Sequence, residues 1–168
     1  MMSVFFTSKV LVDFTKESSL SNWRIVDDVV MGGRSEGTFF INEQGHGEFK
    51  GYVSLENNGG FSSVRYRFQE ESLKQYSKVI LKVKGDGKKY QFRVKSNRYD
   101  YHSYVASFQT NGDWQTIEID FSEMYPTFRG RRLRMKNFPG KTMEEIAFLI
   151  GNKKREQFQL LIDRIELQ

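Results

Sequence analysis

The sequence predicts an all-β domain, and three observations carry that prediction. Apolar residues alternate with polar ones over many runs of five to eight residues, the period of half-buried strands. Turn chemistry recurs every ten or so residues, as Gly-Gly, Gly-Asp-Gly and Asn-Gly-Asp clusters. Aromatic residues make up 15% of the 168-residue chain, chiefly 15 Phe and 8 Tyr, and proline is held to two. Aromatic side chains suit pleated, half-buried surfaces. No internal repeat or linker interrupts the pattern, so residues 1–168 read as one domain.

In chain order, Val10 to Phe14 is a short apolar strand, and Trp23 to Val26 is a second. Ser35–Asn42, Gly47–Glu56 and Phe61–Phe68 read as a meander. Two Gly-Gly pairs, Gly32-Gly33 and Gly59-Gly60, punctuate it beside Asp27-Asp28 and Asn57-Asn58. Glu70 to Tyr76 has the flavour of a single helical turn. Lys78–Gly85 places Val79, Leu81 and Val83 on one face, and Gly85-Asp86-Gly87 signals a hairpin. Tyr90, Phe92 and Val94 then share a face, opposite Gln91, Arg93 and Lys95. His102–Gln109 is aromatic and alternating. After Asn111-Gly112-Asp113, the residues Ile117, Ile119 and Phe121 point one way. Ser122 to Lys141 is a long irregular connection, and such loops are often functional. Thr142 and Glu145 have the spacing of a helix capping box. Gln157–Leu167 closes the chain as a strand whose apolar phase slips between Ile162 and Ile165, the mark of a bulge near Asp163-Arg164.

Composition excludes several functions. There is no cysteine, hence no disulfide framework, thiolate metal site or cysteine nucleophile. The two histidines, His46 and His102, lack zinc-ligand spacing. No G-x-S-x-G elbow is present. The net charge of +5 is modest and is not by itself a nucleic-acid binder's footprint. No segment has the roughly 18 apolar residues of a membrane span, and the N-terminus lacks the pattern of a signal or transit peptide. The reading is therefore a cytoplasmic protein without enzymatic activity.

Some clusters allow two readings. Asp27 and Asp28 could pair as a carboxylate site, but aspartates beside glycines more often brace turns. Gly32-Gly33-Arg34-Ser35 could cradle a phosphate, although it lacks the G-x-G-x-x-G spacing. The basic run Arg129, Arg131, Arg132, Arg134 and Lys136 could meet an acidic partner or simply be solvated. Arg65 follows the second Gly pair on a strand. Tyr101, His102 and Tyr104 lie near Arg93 in sequence and are of the types that carry interface energy. The expected binding surface is therefore Arg65, Arg93, Tyr101, His102 and Tyr104. The competing account makes His102, Tyr104, Ala106 and Phe108 the inward set, which would bury part of that surface.

The wording W-R-I-V-D-D-V-V-M-G-G-R-S-E-G from Trp23, followed by F-K-G-Y-V-S-L-E-N-N-G-G-F-S-S-V-R, closely resembles the complex I intermediate-associated protein 30 family. The Y-Q-F-R-V strand, D-W-Q-T-I-E-I-D-F and the ending F-Q-L-L-I-D-R-I-E-L extend the resemblance from about Val10 to Leu167. It implies a jelly-roll β-sandwich of the galactose-binding-domain-like type, similar to carbohydrate-binding modules. It also implies a complex I assembly factor or chaperone that holds a protein client, such as a respiratory-complex subunit or assembly intermediate, without catalysis. The alternative is a carbohydrate-binding module with a glycan on an aromatic-polar sheet face. The resemblance further implies one structural calcium near the chain ends, for which Asp13 and Asp163 would supply oxygens.

Overall fold

The computed structural model describes residues 7–168 and resolves two antiparallel sheets packed over one core. The six-stranded sheet contains β1 (Lys9–Asp13), β3 (Glu36–Ile41), β4 (Gly47–Val53), β6 (Lys78–Lys84), β9 (Trp114–Asp120) and β13 (Glu156–Leu167). Its order is β3-β4-β13-β6-β9, with β1 pairing the second half of β13. The seven-stranded sheet runs β11-β10-β8-β7-β12-β5-β2. Its members are β2 (Trp23–Asp27), β5 (Ser62–Ser72), β7 (Lys89–Lys95), β8 (Ser103–Gln109), β10 (Tyr125–Phe128), β11 (Arg131–Arg132) and β12 (Thr142–Ile150). This is the all-β sandwich that the alternation predicts.

The inward sets follow the period of two. Phe92, Phe148, Leu160 and Ile162 have no exposed surface, and Tyr90 and Phe49 are equally enclosed. Phe92 meets Phe148 edge-on with ring centroids 5.5 Å apart. Trp23 stacks on Tyr66 at 4.6 Å and closes one end of the sandwich with Phe14 and Phe39. The expected bulge is present: β13 changes register between Ile162 and Arg164 against β6.

Four local expectations are corrected. Thr142–Glu145 begins strand β12, not a helix, because pairing to β5 and β7 on both edges outweighs the capping signal. Glu70–Ser72 extends β5, and no helix forms before Tyr76. Gly85–Gly87 does not close a hairpin. It carries the chain from β6 in one sheet to β7 in the other, where Gly87 N–H donates to Thr110 Oγ1 at 3.0 Å. The meander is likewise cut: β3 and β4 form a hairpin, but β4 and β5 lie in different sheets. Local turn chemistry says that the chain reverses; it does not say which sheet receives the next strand.

Candidate functional site

The two Gly-Gly turns converge on one buried carboxylate. Asp28 is 1% exposed. Its Oδ1 accepts from Ser35 N–H at 2.9 Å; its Oδ2 accepts from Ser35 Oγ at 2.5 Å, Gly60 N–H at 2.6 Å and Phe61 N–H at 3.2 Å. Burial alone would push this carboxyl up, but hydrogen bonds from Ser35, Gly60 and Phe61 together hold it below its ordinary value. The glycines make room for it. A Cβ on Gly33 would stand 2.4 Å from the Asp28 carboxyl carbon, and one on Gly59 would stand 2.5 Å from Oδ2. Neighbouring Asp27 accepts from Ser62 Oγ at 2.5 Å and Gly37 N–H at 2.8 Å, while burial raises its carboxyl. The aspartate pair therefore braces two loops, and both Asp28 oxygens are occupied.

The second of those loops, with Leu55 and Gly59–Phe61, forms one wall of a groove of about 680 Å³ on the outer face of the seven-stranded sheet. Strand register builds its floor. Arg24, Arg65, Ala147, Arg93 and Val105 are successive partners across β2, β5, β12, β7 and β8. Two residues along the strands, Val26, Ser63, Leu149 and Gln91 form a parallel row. In the other direction Arg67, Glu145 and Lys95 form a third. The walls come from Leu55 and Gly59–Phe61, from Thr127–Gly130 with Tyr101, and from Gly151 and Lys153.

The groove is cationic. Arg65, Arg93, Lys95, Arg129 and Lys153 line it against a single carboxylate, Glu145. Glu145 is 3% exposed and is already held by Arg67 Nε at 2.8 Å. Among the described residues, the hydrogen-bond partners of Arg93 are neutral, Gln91 Oε1 at 2.8 Å and Thr127 Oγ1 at 3.4 Å. Burial, then the nearby Arg65 charge, pulls its guanidinium down to about 10. Burial also lowers Arg65 and Lys95, and Lys95 Nζ donates to the Asp100 carbonyl. The described residues contain three non-glycine residues with positive φ: Asn57 at 55°, Arg129 at 50° and Lys153 at 58°. Arg129 and Lys153 sit on the walls, and Asn57 lies between the wall residues Leu55 and Gly59. Such backbone persists only where its surroundings enforce it, and it concentrates at functional sites.

The structure separates the sequence-predicted surface into two parts. Arg65, Arg93 and Tyr101 line the groove. Tyr101 is 64% exposed and meets Phe128 edge-on at 5.0 Å. Tyr104 is not on this surface. It is 7% exposed and packs inward against Phe138 at 5.1 Å, because Ser103 and Val105 take the outward positions of β8. His102 lies between the two, edge-on to Tyr101 and Tyr104, with Nε2 3.3 Å from the Tyr104 hydroxyl. It does not line the groove. Tyr104→Phe should accordingly leave binding intact and cost roughly 1 kcal/mol of stability or less, measured by urea unfolding.

Residues that sequence reasoning left out are Glu145, Ala147 and Leu149 of β12, together with Lys153; Lys95 and Arg129 enter it only as a neighbour of Arg93 and as part of the basic run, outside the expected surface. The helical reading of Thr142–Glu145 hid the first three. The alternation Glu145, Ala147, Leu149 against Ile146, Phe148, Ile150 was the available signal.

Asp13 and Asp163 do not fit a calcium ion. Asp163 lies 3.3 Å from His46 Nε2 and 3.7 Å from Lys82 Nζ, so cationic or donor groups face its oxygens. Asp13 is exposed and is in register with Arg164. Among the described residues no three His, Asp or Glu side chains converge as metal ligands. Calcium needs six to eight oxygens. No described helix is long and apolar enough to cross a membrane.

Comparison with known proteins places this architecture. The chain is similar to the Family 11 carbohydrate-binding module from Clostridium thermocellum in complex with a β-1,3-1,4-mixed-linked tetrasaccharide. The TM-score is 0.69, with 20% identity, over 95% of this chain and 94% of that one. The same family's module from cellulosomal cellulase Lic26A-Cel5E superposes with a TM-score of 0.71 and 18% identity, over 98% and 95% of the two chains. At these identities the likeness is one of fold, a jelly roll. In sequence, the chain is 26% identical over 184 aligned positions to Complex I intermediate-associated protein 30, mitochondrial, of Drosophila melanogaster. That alignment covers 95% of this chain and 62% of the relative, so the chain spans about three-fifths of the relative's length. Residues 12–162 match the family described as Complex I intermediate-associated protein 30. By that match, and with the jelly-roll fold beneath it, the chain belongs to the Complex I intermediate-associated protein 30 family.

Proposed function

We propose that this domain is a non-enzymatic holding module: a protein client, such as a respiratory-complex subunit or assembly intermediate, seats in the groove across the seven-stranded sheet. Family membership supports the class of role. The observation that carries the choice of site is the half-buried row Arg65–Ala147–Arg93, whose guanidiniums make no direct salt bridge among the described residues and feel only the nearby carboxylate of Glu145, itself held by Arg67. Cations kept partly dry without a counter-charge are costly, and an incoming anionic group offsets that cost. No nucleophile-base pair or converging carboxylate pair lines the groove, so the arrangement offers binding and no evident chemistry.

A second reading is a glycan-binding module. Its support is the fold shared with a module that holds a tetrasaccharide, together with Tyr101 and Phe128 on one wall. The aromatic side chains stand at the wall, and the floor is cationic and aliphatic, which disfavours stacking of a neutral sugar.

Affinity capture from the native cell and a glycan array separate the two readings. The expected result is a co-purifying protein whose affinity falls about 30-fold, or about 2 kcal/mol, in Arg93→Ala, with no loss of thermal stability. Saturable binding of a neutral glycan, with no captured protein, would replace the first reading with the second.

A further inference from the structure

The groove has two adjoining rows of opposite character. One is cationic, with Arg65 and Arg93 flanking Ala147 in register. The small Ala147 side chain, 4% exposed, leaves the floor open between the two arginine positions, whose Cα atoms are roughly 10 Å apart across three strands. The Arg93 guanidinium, held only by the neutral Gln91 and Thr127, would swing over β12 to close on a ligand. The next row carries Leu149, with Val26 on the same line, and the apolar Leu55 and Phe61 of the adjacent wall. The two rows are two residues apart along each strand, roughly 7 Å. That is also the separation between side chains i and i+2 on one face of an extended peptide.

From this register we infer that the groove recognises an extended client segment of the form acidic-x-apolar. An Asp or Glu carboxylate seats over Ala147 between Arg65 and Arg93, and an apolar side chain two residues on packs against Leu149. The inference rests on the client-holding reading and names the segment that the client presents. Charge complementarity selects the acid: five cationic side chains line the groove against one carboxylate, and that one is already paired with Arg67. Guanidinium groups favour carboxylates through paired, charge-assisted hydrogen bonds. The aliphatic row selects a peptide over an acidic sugar, which has no apolar side chain to place there. Alternate side-chain pockets are the usual way in which an extended segment is read.

The test is selection from a random nonapeptide display library on the full chain, followed by fluorescence anisotropy with the selected labelled peptide. The expected consensus is Asp or Glu followed two positions later by Leu, Ile, Val or Phe. Replacing that acid by its amide should weaken binding at least tenfold. Arg65→Gln/Arg93→Gln should abolish the acid preference and keep the apolar one, while melting no lower than the parent, since two like charges are removed. Leu149→Ser should do the reverse. A consensus without an acid, an acid preference that survives Arg65→Gln/Arg93→Gln, or no enrichment at all would overturn the inference. Native-cell capture distinguishes its failure from that of the parent reading. A client held equally by parent and Arg65→Gln/Arg93→Gln refutes the clamp and leaves client holding in place. Capture of no protein by the parent refutes both.

Discussion

Asp28→Ala is expected to destabilise the fold by about 4 kcal/mol, enough to unfold much of a marginally stable domain. Three backbone donors lose their acceptor at once, Ser35 N–H, Gly60 N–H and Phe61 N–H, and the Ser35 hydroxyl keeps only the longer contact to the Ser54 carbonyl at 3.3 Å. Each buried donor left unmatched costs about 1–3 kcal/mol, with water entry recovering part of the sum. The cavity is also polar, lined by those donors and by the faces of Gly33 and Gly59, so collapse cannot fill it with apolar atoms. The effect carries a pH signature. Asp28 is held below its unfolded value, so its contribution is fully present above the unfolded carboxyl pKa of about 4 and is lost as pH falls through the lower folded value. Asp27, raised by burial, has the opposite sign: its contribution declines as pH rises from the unfolded value through the folded one. Urea unfolding from pH 2 to 7 should therefore show the gap between parent and Asp28→Ala closing in acid. A gap independent of pH would mean that the carboxylate's charge is not what braces the loops.

Gly51→Ala is expected to cost about 3 kcal/mol or more, through collision with backbone that has nowhere to go. Gly51 on β4 is in register with Gly37 on β3 and with Phe158 on β13. A Cβ there would stand 1.9 Å from the Glu36 carbonyl oxygen and 2.8 Å from Gly37 Cα. Both obstacles are main chain, and β4 cannot yield because β13 holds its other edge. Gly87→Ala is the control. Its φ of 84° disfavours a side chain, but nothing lies within 4 Å of the new methyl group. That change should cost only about 1 kcal/mol. Equal melting temperatures for the two variants would show that β3 and β4 can part without loss.

The groove and the brace are connected. Asp28 ties the loop containing Gly32-Gly33 to the one containing Gly59-Gly60, and the second loop is a wall of the groove. Loss of the brace should therefore weaken client binding as well as the fold. Substitutions on the floor, such as Arg93→Ala, should touch binding alone.

Period-two alternation by itself determined which residues of most strands face inward, since side chains alternate across a pleat whatever the strand pairs with. Tyr90, Phe92 and Val94 were legible in this way, as was the outward Arg93 between them. The loss of phase between Ile162 and Ile165 likewise disclosed the bulge. Positions beside Asp27-Asp28 and Asn57-Asn58 showed that the glycine pairs were turns. That the two turns share one carboxylate lay beyond reach, because Asp28 and Gly60 are 32 residues apart and meet only when β2 pairs with β5. Tyr104 shows the limit of local pattern. Its strand alternates cleanly, but both faces carry residues fit for a core, and only the register of β8 against β7, which sets Tyr104 beside the inward Val94, settled which face met the other sheet. The groove required more still. Arg65, Ala147 and Arg93 come from strands far apart in the chain, and they form a row because β12 inserts between β5 and β7. Strand order is set by long-range packing of the sandwich, where burial of whole faces outweighs any local propensity, and only the tertiary structure holds that information.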